Sequence, residues 1–437
     1  MANSDDAKLR PLPNTAALSG VLEAFAFFRD PAFAQKRFKR HGNVFETSLL
    51  GQPMVFIQGG QAISDLLAQP NAVEGWWPES VRQLLGSHSL ANRNGASHRA
   101  RRRVIGQLFS ASALQRYSAG IISMVKDLAD ELQAATTALP LAERMRRFAF
   151  SVIATTVLGL EGTDRDELFV DFEIWTRALF SIPIALPGSS FAKALKARER
   201  LLKRLQKVLL KASNGNGGLD LLAGGLDEAG IPLTDEDVVE QLLLLLFAGY
   251  ETTASSLSCL MRELLLNPQV ETWLREEIDG LDWPPAPEQA TTAYDQVNAP
   301  KLDAVVSEVM RLTPAVGGFF RRTKCALAID GVEVPKNRVV QVALAASNRH
   351  GAGDLEAFRP QRHLDDGCSA TLLPFGGGER VCLGKPLAEL EIRLMVVGLL
   401  HQLRLHLIPD QDLTLQMLPS PTPRDGLLTK VLEEAQK

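Results

Sequence analysis

From Thr234 to about Leu266 the chain carries one helical pattern that no small or all-β fold can house. Thr234-Asp235-Glu236-Asp237 opens it with the hydroxyl acceptor and acids that a helix N-terminus favours. Gln241-Leu242-Leu243-Leu244-Leu245-Leu246-Phe247 follows, and apolar residues continue round every face. A helix that is hydrophobic all round has to be buried all round, so other helices must surround it. Within it lies Ala248-Gly249-Tyr250-Glu251-Thr252-Thr253. A glycine at mid-helix costs roughly 1 kcal/mol relative to alanine, so this interruption calls for a functional reason.

The remaining sequence fits such a body. At 437 residues the chain can bury a large core, and no compositional break divides it. A net charge of -4 gives no general reason to expect a nucleic-acid partner. The four cysteines, Cys259, Cys325, Cys368 and Cys382, form no C-x-x-C pair, which argues for a reducing compartment and against a zinc site. Residues Met1–Arg10 are polar, and the apolar patch Val21–Phe28 is short, contains Glu23 and lacks a preceding basic stretch. Neither a signal peptide nor a membrane anchor is expected there, and the reading is a soluble, cytoplasmic protein.

Local patterns predict a short helix over Ala17–Arg29, a hairpin of Val44–Leu50 and Pro53–Ile57, and a strand pair turning at Asp330-Gly331. An apolar helix is expected over Met145–Leu160, a proline-bounded break at Phe180–Pro187, and an exposed connection at Ala212–Gly218. The expected class is mainly α with small β-sheets (α+β). One catalytic domain would span 1–437, with a β-rich part at about 40–60 and 325–345 packed on a helical body.

The chemistry concentrates in Pro374-Phe375-Gly376-Gly377-Gly378-Glu379-Arg380-Val381-Cys382-Leu383-Gly384. Three glycines allow positive φ and close approach of the backbone to something flat. Cys382 sits just before a helical pattern that begins at Lys385, where the helix N-terminus favours a thiolate. This F-x-x-G-x-R-x-C-x-G array resembles the heme-binding loop of the cytochrome P450 family, the heme-thiolate monooxygenases. Three further stretches are similar to that family's signatures. They are Ala248–Thr253 (A-G-x-[DE]-T-[TS]), Glu308-x-x-Arg311 followed by Phe358-Arg359-Pro360-Gln361-Arg362, and His98-x-x-x-Arg102. Gln361 and His363 depart from the usual pattern around Arg362.

The resemblance implies the P450 fold, with the long helix passing over heme b (iron protoporphyrin IX). It makes Cys382 the axial ligand to iron. Thr252 and Glu251 would manage dioxygen and protons. Cofactor contacts would come from Phe375, Gly376, Arg380, Gly384, Ala248 and Gly249. His98 and Arg102 would grip one heme propionate and Arg321 the other, with Arg322 as the alternative. Glu308, Arg311 and Arg362 would form a bracing network. Trp77, Leu85, Phe180, Ile182, Ala248, Phe319 and Pro419 would line the substrate pocket.

At finer grain, W-P-x-S-x-R-x-x-L-G, F-S-I-P and P-x-V-G-G-F-x-R resemble the retinoic-acid-hydroxylating branch and its cyanobacterial members. That implies a long apolar substrate of retinoid or apocarotenoid type. The alternatives are fatty acids or other terpenoids, a peroxide-using variant, or a non-catalytic heme or lipid binder. Electrons would come from a separate ferredoxin or similar partner, docking near Arg380, Lys385 and the basic helix. The spare charges of that helix, Arg99, Arg101 and Arg103, are candidate partner contacts. A monomer is expected.

Overall fold

In the computed structural model the described residues are 9–14, 20–30, 32–49, 51–160, 162–211, 218–364 and 372–432. The connection expected at Ala212–Gly218 therefore lies outside them except for Gly218. The chain divides into two compact units. One comprises Met1–Trp76, Val316–Ala357 and Ser369–Cys382, and the other comprises Trp77–Ala315, Phe358–Cys368 and Leu383–Lys437.

The first unit is built on a five-stranded sheet. In order across the sheet the strands are Val44–Leu49, Gln52–Ile57, Val339–Ala343, Gly318–Thr323 and Val73–Gly75. The opening hairpin pairs Phe45 with Phe56, and their rings stack with centroids 5.2 Å apart. Strand alternation sends Val55, Ile57, Val340 and Val342 into one apolar cluster with Ile63 and Leu66. Met54, Phe56 and Val339 enter a second with Phe33 and Phe38. Both faces are thus covered, and the β-rich part reaches further than expected, beginning its second half at Gly318 rather than near residue 325. Gly318 cannot be replaced there, because a Cβ would lie 2.1 Å from the Val342 carbonyl oxygen. The Asp330-Gly331 hairpin forms as expected, with both residues at positive φ between Leu327–Ile329 and Val332–Val334.

The second unit is helical around Asp235–Leu266, a 32-residue helix whose N-cap Thr234 accepts a hydrogen bond from the Asp237 amide. Most of its side chains are buried, and several of the polar ones among them are paired. Asp237 pairs with Arg93 at 2.8 Å and Arg101 at 2.7 Å. Gln241 accepts from the Leu90 amide and donates to Asp237. Arg101 also pairs with Glu228. The expectation that Arg101 faces a protein partner is therefore corrected. It is a buried ion-pair member, whereas Arg99 and Arg103 on the same helix, Gly95–Gly106, are exposed.

Glu308 sits in the same unit with no solvent exposure, on the helix Pro300–Leu312. Its Oε1 accepts from Arg311 at 2.9 Å, Arg362 at 2.9 Å and the Arg359 amide at 3.0 Å. Oε2 accepts from Arg311 at 2.8 Å and meets His363 Nε2 at 2.8 Å. The network expected from three residues thus gains His363 and a backbone amide. Burial pushes the Glu308 carboxyl up, but the hydrogen bonds from Arg311, His363 and Arg359 outweigh it and hold the pKa at about 2.

Glu308→Gln would leave buried guanidinium charge uncompensated, and a loss of about 3–5 kcal/mol of unfolding free energy is expected in denaturant titration. A depressed carboxyl stabilises the fold above its unfolded pKa. The difference between wild type and variant should therefore be constant above pH 4.5 and shrink as pH falls towards about 2.

Candidate functional site

The cysteine loop is held by its own backbone. The Cys382 amide donates to the Phe375 carbonyl at 2.9 Å, Val381 to Gly378 at 3.1 Å and Gly376 to Leu373 at 3.0 Å. Gly376 and Gly378 have φ of 70° and 67°, a left-handed conformation that side-chain-bearing residues adopt at a cost. Cys382 is a free cysteine, exposed at the surface of its unit. Gly384 has an ordinary φ of -80° and caps the helix Lys385–Gln402.

Arg321 is 8% exposed in the same unit. Its guanidinium donates to the Phe320 carbonyl at 2.8 Å and to the Gly377 carbonyl at 3.5 Å, and it forms no ion pair with a carboxylate among the described residues. It also lies over the Phe319 ring, 4.6 Å from the centroid. Burial and the nearby Arg380 charge push its pKa down to about 10. Two cations crowded against a glycine-rich loop with an exposed thiol make a donor set for an anionic, metal-centred planar ligand. The adjacent Arg322 is only half-buried. Gly75, which the sequence motifs did not single out, makes room for Arg380, since a Cβ there would lie 2.2 Å from Arg380 Cζ.

In the helical unit, the long helix is unbroken through Ala248–Thr253, and the Thr252 hydroxyl donates to the Ala248 carbonyl at 2.7 Å. Side chains bonded back to i−4 tend to bend a helix without breaking it. Leu244, Ala248 and Thr252 are among its few residues that are not buried. Spaced by four, they share one open face. Gly249 turns elsewhere, for its Cβ would sit 2.8 Å from Ile153 Cδ1, so close helix packing accounts for that glycine.

Glu251 is 2% exposed, with Oε1 accepting from Arg146 at 3.3 Å and, among the described residues, no hydrogen-bond partner for Oε2. Burial pushes its pKa up, and Arg146 pulls it partly back. His98 is buried and Arg102 half-buried on Gly95–Gly106, one turn apart as expected.

The proposed pocket residues divide. Trp77, Phe180 and Phe319 are half-buried. Leu85 is packed away, 1% exposed, and Ile182 faces solvent at 61% exposure together with Ile184 and Leu186. Pro419 lines a cavity in company with Glu251. Prolines at 183 and 187 explain why the Ile182 segment leaves the helical body, since neither residue donates a backbone hydrogen bond.

If Arg380 depends on the space left by Gly75, Gly75→Ala should displace its guanidinium and lower the heme-to-protein ratio of purified protein, at a stability cost of about 1–3 kcal/mol. Gly120→Ala, where an added Cβ meets nothing within 4 Å, should leave that ratio unchanged.

A model of the cytochrome P450 family matches residues 29–430. Cytochrome P450 120 of Synechocystis sp. is 34% identical over 434 residues, covering 96% of each chain. Cytochrome P450 26B1 of Danio rerio is 32% identical, covering 92% of this chain and 83% of its own. A solved structure described as retinoic acid bound cyanobacterial CYP120A1 matches with a TM-score of 0.89 at 33% identity, covering 97% of this chain and 99% of the other. The heme domain of cytochrome P450DA matches at 18% identity with a TM-score of 0.85, a likeness of fold. On this agreement of sequence and fold across nearly its whole length, the chain belongs to the cytochrome P450 family of heme-dependent monooxygenases.

Proposed function

We propose that this P450 hydroxylates a retinoid or apocarotenoid, with Cys382 as the thiolate ligand of its heme and the whole chain acting as one catalytic domain. The observation that carries this reading is the self-bonded cysteine loop, with a buried Arg321 whose acceptors among the described residues are carbonyls. The choice of substrate class rests on the names of the similar proteins, one of them a structure with retinoic acid bound, and on the branch motifs quoted above. When bound, heme supplies the activation of dioxygen that the side chains cannot perform themselves.

The protein's part is to hold and supply. Arg321 and Arg380 would neutralise propionate charge, and the family resemblance gives His98 and Arg102 the same role. Thr252 offers a hydroxyl on the open helix face, and Glu251 delivers protons to it. Trp77 and Phe180 of the helical unit, both half-buried, would offer a long polyene apolar surface. Electrons arrive from a separate ferredoxin-like protein, whose acidic surface would meet the exposed Arg99 and Arg103 in the cytoplasm. The enzyme acts as a monomer.

Reduced protein under carbon monoxide should give the red-shifted Soret band of thiolate ligation, and Cys382→Ala should lose it. A normal band in Cys382→Ala would remove the central assignment. Titration with retinoids, carotenoid fragments and fatty acids should move the ferric spin state most strongly with the retinoids. A larger response to fatty acids would reassign the substrate class. Turnover should require a ferredoxin and its reductase; efficient turnover with peroxide alone would favour a peroxide-using enzyme.

A further inference from the structure

The helix Leu141–Val152 packs beside the long helix and runs on into a single π turn, Ile153–Val157. Its buried stripe passes through Met145, Ala149 and Val152, spaced by four and three as an α-helix requires. One more step of four would bring in Thr156, yet Thr155 and Thr156 are only half-buried. The wider turn instead keeps Ile153 and Ala154 inside, 2% and 0% exposed. It is closed by the Leu160 amide, which donates to the Ala154 carbonyl at 3.0 Å. The Thr155 hydroxyl adds a bond to the Leu160 carbonyl, also at 3.0 Å. Single π turns of this kind are rare and recur at functional sites.

This turn delivers Ile153 into the gap left by Gly249. A Cβ on Gly249 would lie 2.8 Å from Ile153 Cδ1, 3.1 Å from its Cγ1 and 3.6 Å from its Cβ. Its three nearest neighbours would thus all belong to one side chain. Three residues earlier on the same helix, Phe150 packs edge-on against Tyr250, with ring centroids 6.1 Å apart. Consecutive residues of the long helix are therefore gripped by residues three apart on its neighbour. Gly249 lies within the turn that carries Ala248 and Thr252, and the Thr252 hydroxyl closes that turn on the Ala248 carbonyl at 2.7 Å.

We propose that Ile153 is a positioning residue for the open face of the long helix. The depth to which its side chain seats at Gly249 sets where the Ala248–Thr252 turn stands, and with it the Thr252 hydroxyl. Close-packed interiors transmit strain because they hold few voids. A methyl added at Gly249 has to push that turn off Ile153 or drive Ile153 back into the π turn. The inference rests on the reading, drawn from the family resemblance, in which the ligand side of the heme meets the open face.

The test is a size-swap cycle on the heme-loaded protein, read by the infrared stretch of carbon monoxide on the reduced heme, a band sensitive to nearby polar groups. Gly249→Ala should displace or split that band and lower turnover by up to about 100-fold, the scale of a 1 Å misplacement. Adding Ile153→Ala, which leaves only the contact at 3.6 Å, should return the band to its wild-type position and recover most of the turnover. Adding Ile153→Val, a milder change that is safer for folding, removes the contact at 2.8 Å and keeps the one at 3.1 Å. It should return the band part of the way. A band unmoved in Gly249→Ala overturns the proposal. So does a band that stays displaced in both double variants while their thermal stability recovers, since Ile153 then only packs. Should Thr252→Val leave band and turnover unchanged, the reading of the open face fails. Should it move the band while Gly249→Ala does not, only the role given to Ile153 fails.

Discussion

The helix Asp235–Leu266 is a rod of 32 residues, roughly 48 Å at 1.5 Å per residue, and nearly all of it is enclosed. Enclosing such a rod demands neighbours on every side, and a polar group carried inside is costly unless it finds a partner there. Asp237 and Gln241 find theirs in Arg93, Arg101 and the backbone at Leu90. Ser255 donates to the Pro421 carbonyl at 2.7 Å. The helix therefore ties segments from both halves of its unit to one axis, and what it leaves uncovered becomes its working surface.

That surface is small. Leu244, Ala248 and Thr252 share an open face, and about 100° round the axis Glu251 lines the charged cavity. The hydroxyl and the acid are adjacent in sequence yet separate in environment. Adjacent residues on a helix diverge by about 100°, so Thr252 lies on the open face while Glu251 lines the charged cavity.

In the β-rich unit a different device operates. The cysteine loop is bonded to itself, and its glycines are set by φ at Gly376 and Gly378. Its cations are placed by neighbours: Arg321 by its strand, and Arg380 by the space above Gly75. Burying Arg321, and crowding it with the Arg380 guanidinium, is costly in isolation, and both lower its pKa. A bound anionic cofactor would repay that cost. Strain of this kind is tolerable where a ligand is to complete the site.

The amino-acid sequence by itself determined the class of fold, the long helix and its capped start, the Asp330-Gly331 hairpin, the cysteine loop and the pairing of Glu308 with Arg311. Each is a local pattern, a period, a turn dipeptide or an i,i+3 spacing, whose physics acts over a few residues. Tertiary structure alone decided that Arg101 is buried against Asp237, that His363 joins Glu308, that Gly75 shelters Arg380 and that Arg146 holds Glu251. It also turned Leu85 into core and left Ile182 in solvent. Those outcomes depend on which distant segment arrives at a given side chain: Arg146 and Glu251 are 105 residues apart. Identity and spacing say what a charged group can do, whereas its burial and its partner, set by long-range packing, say what it does.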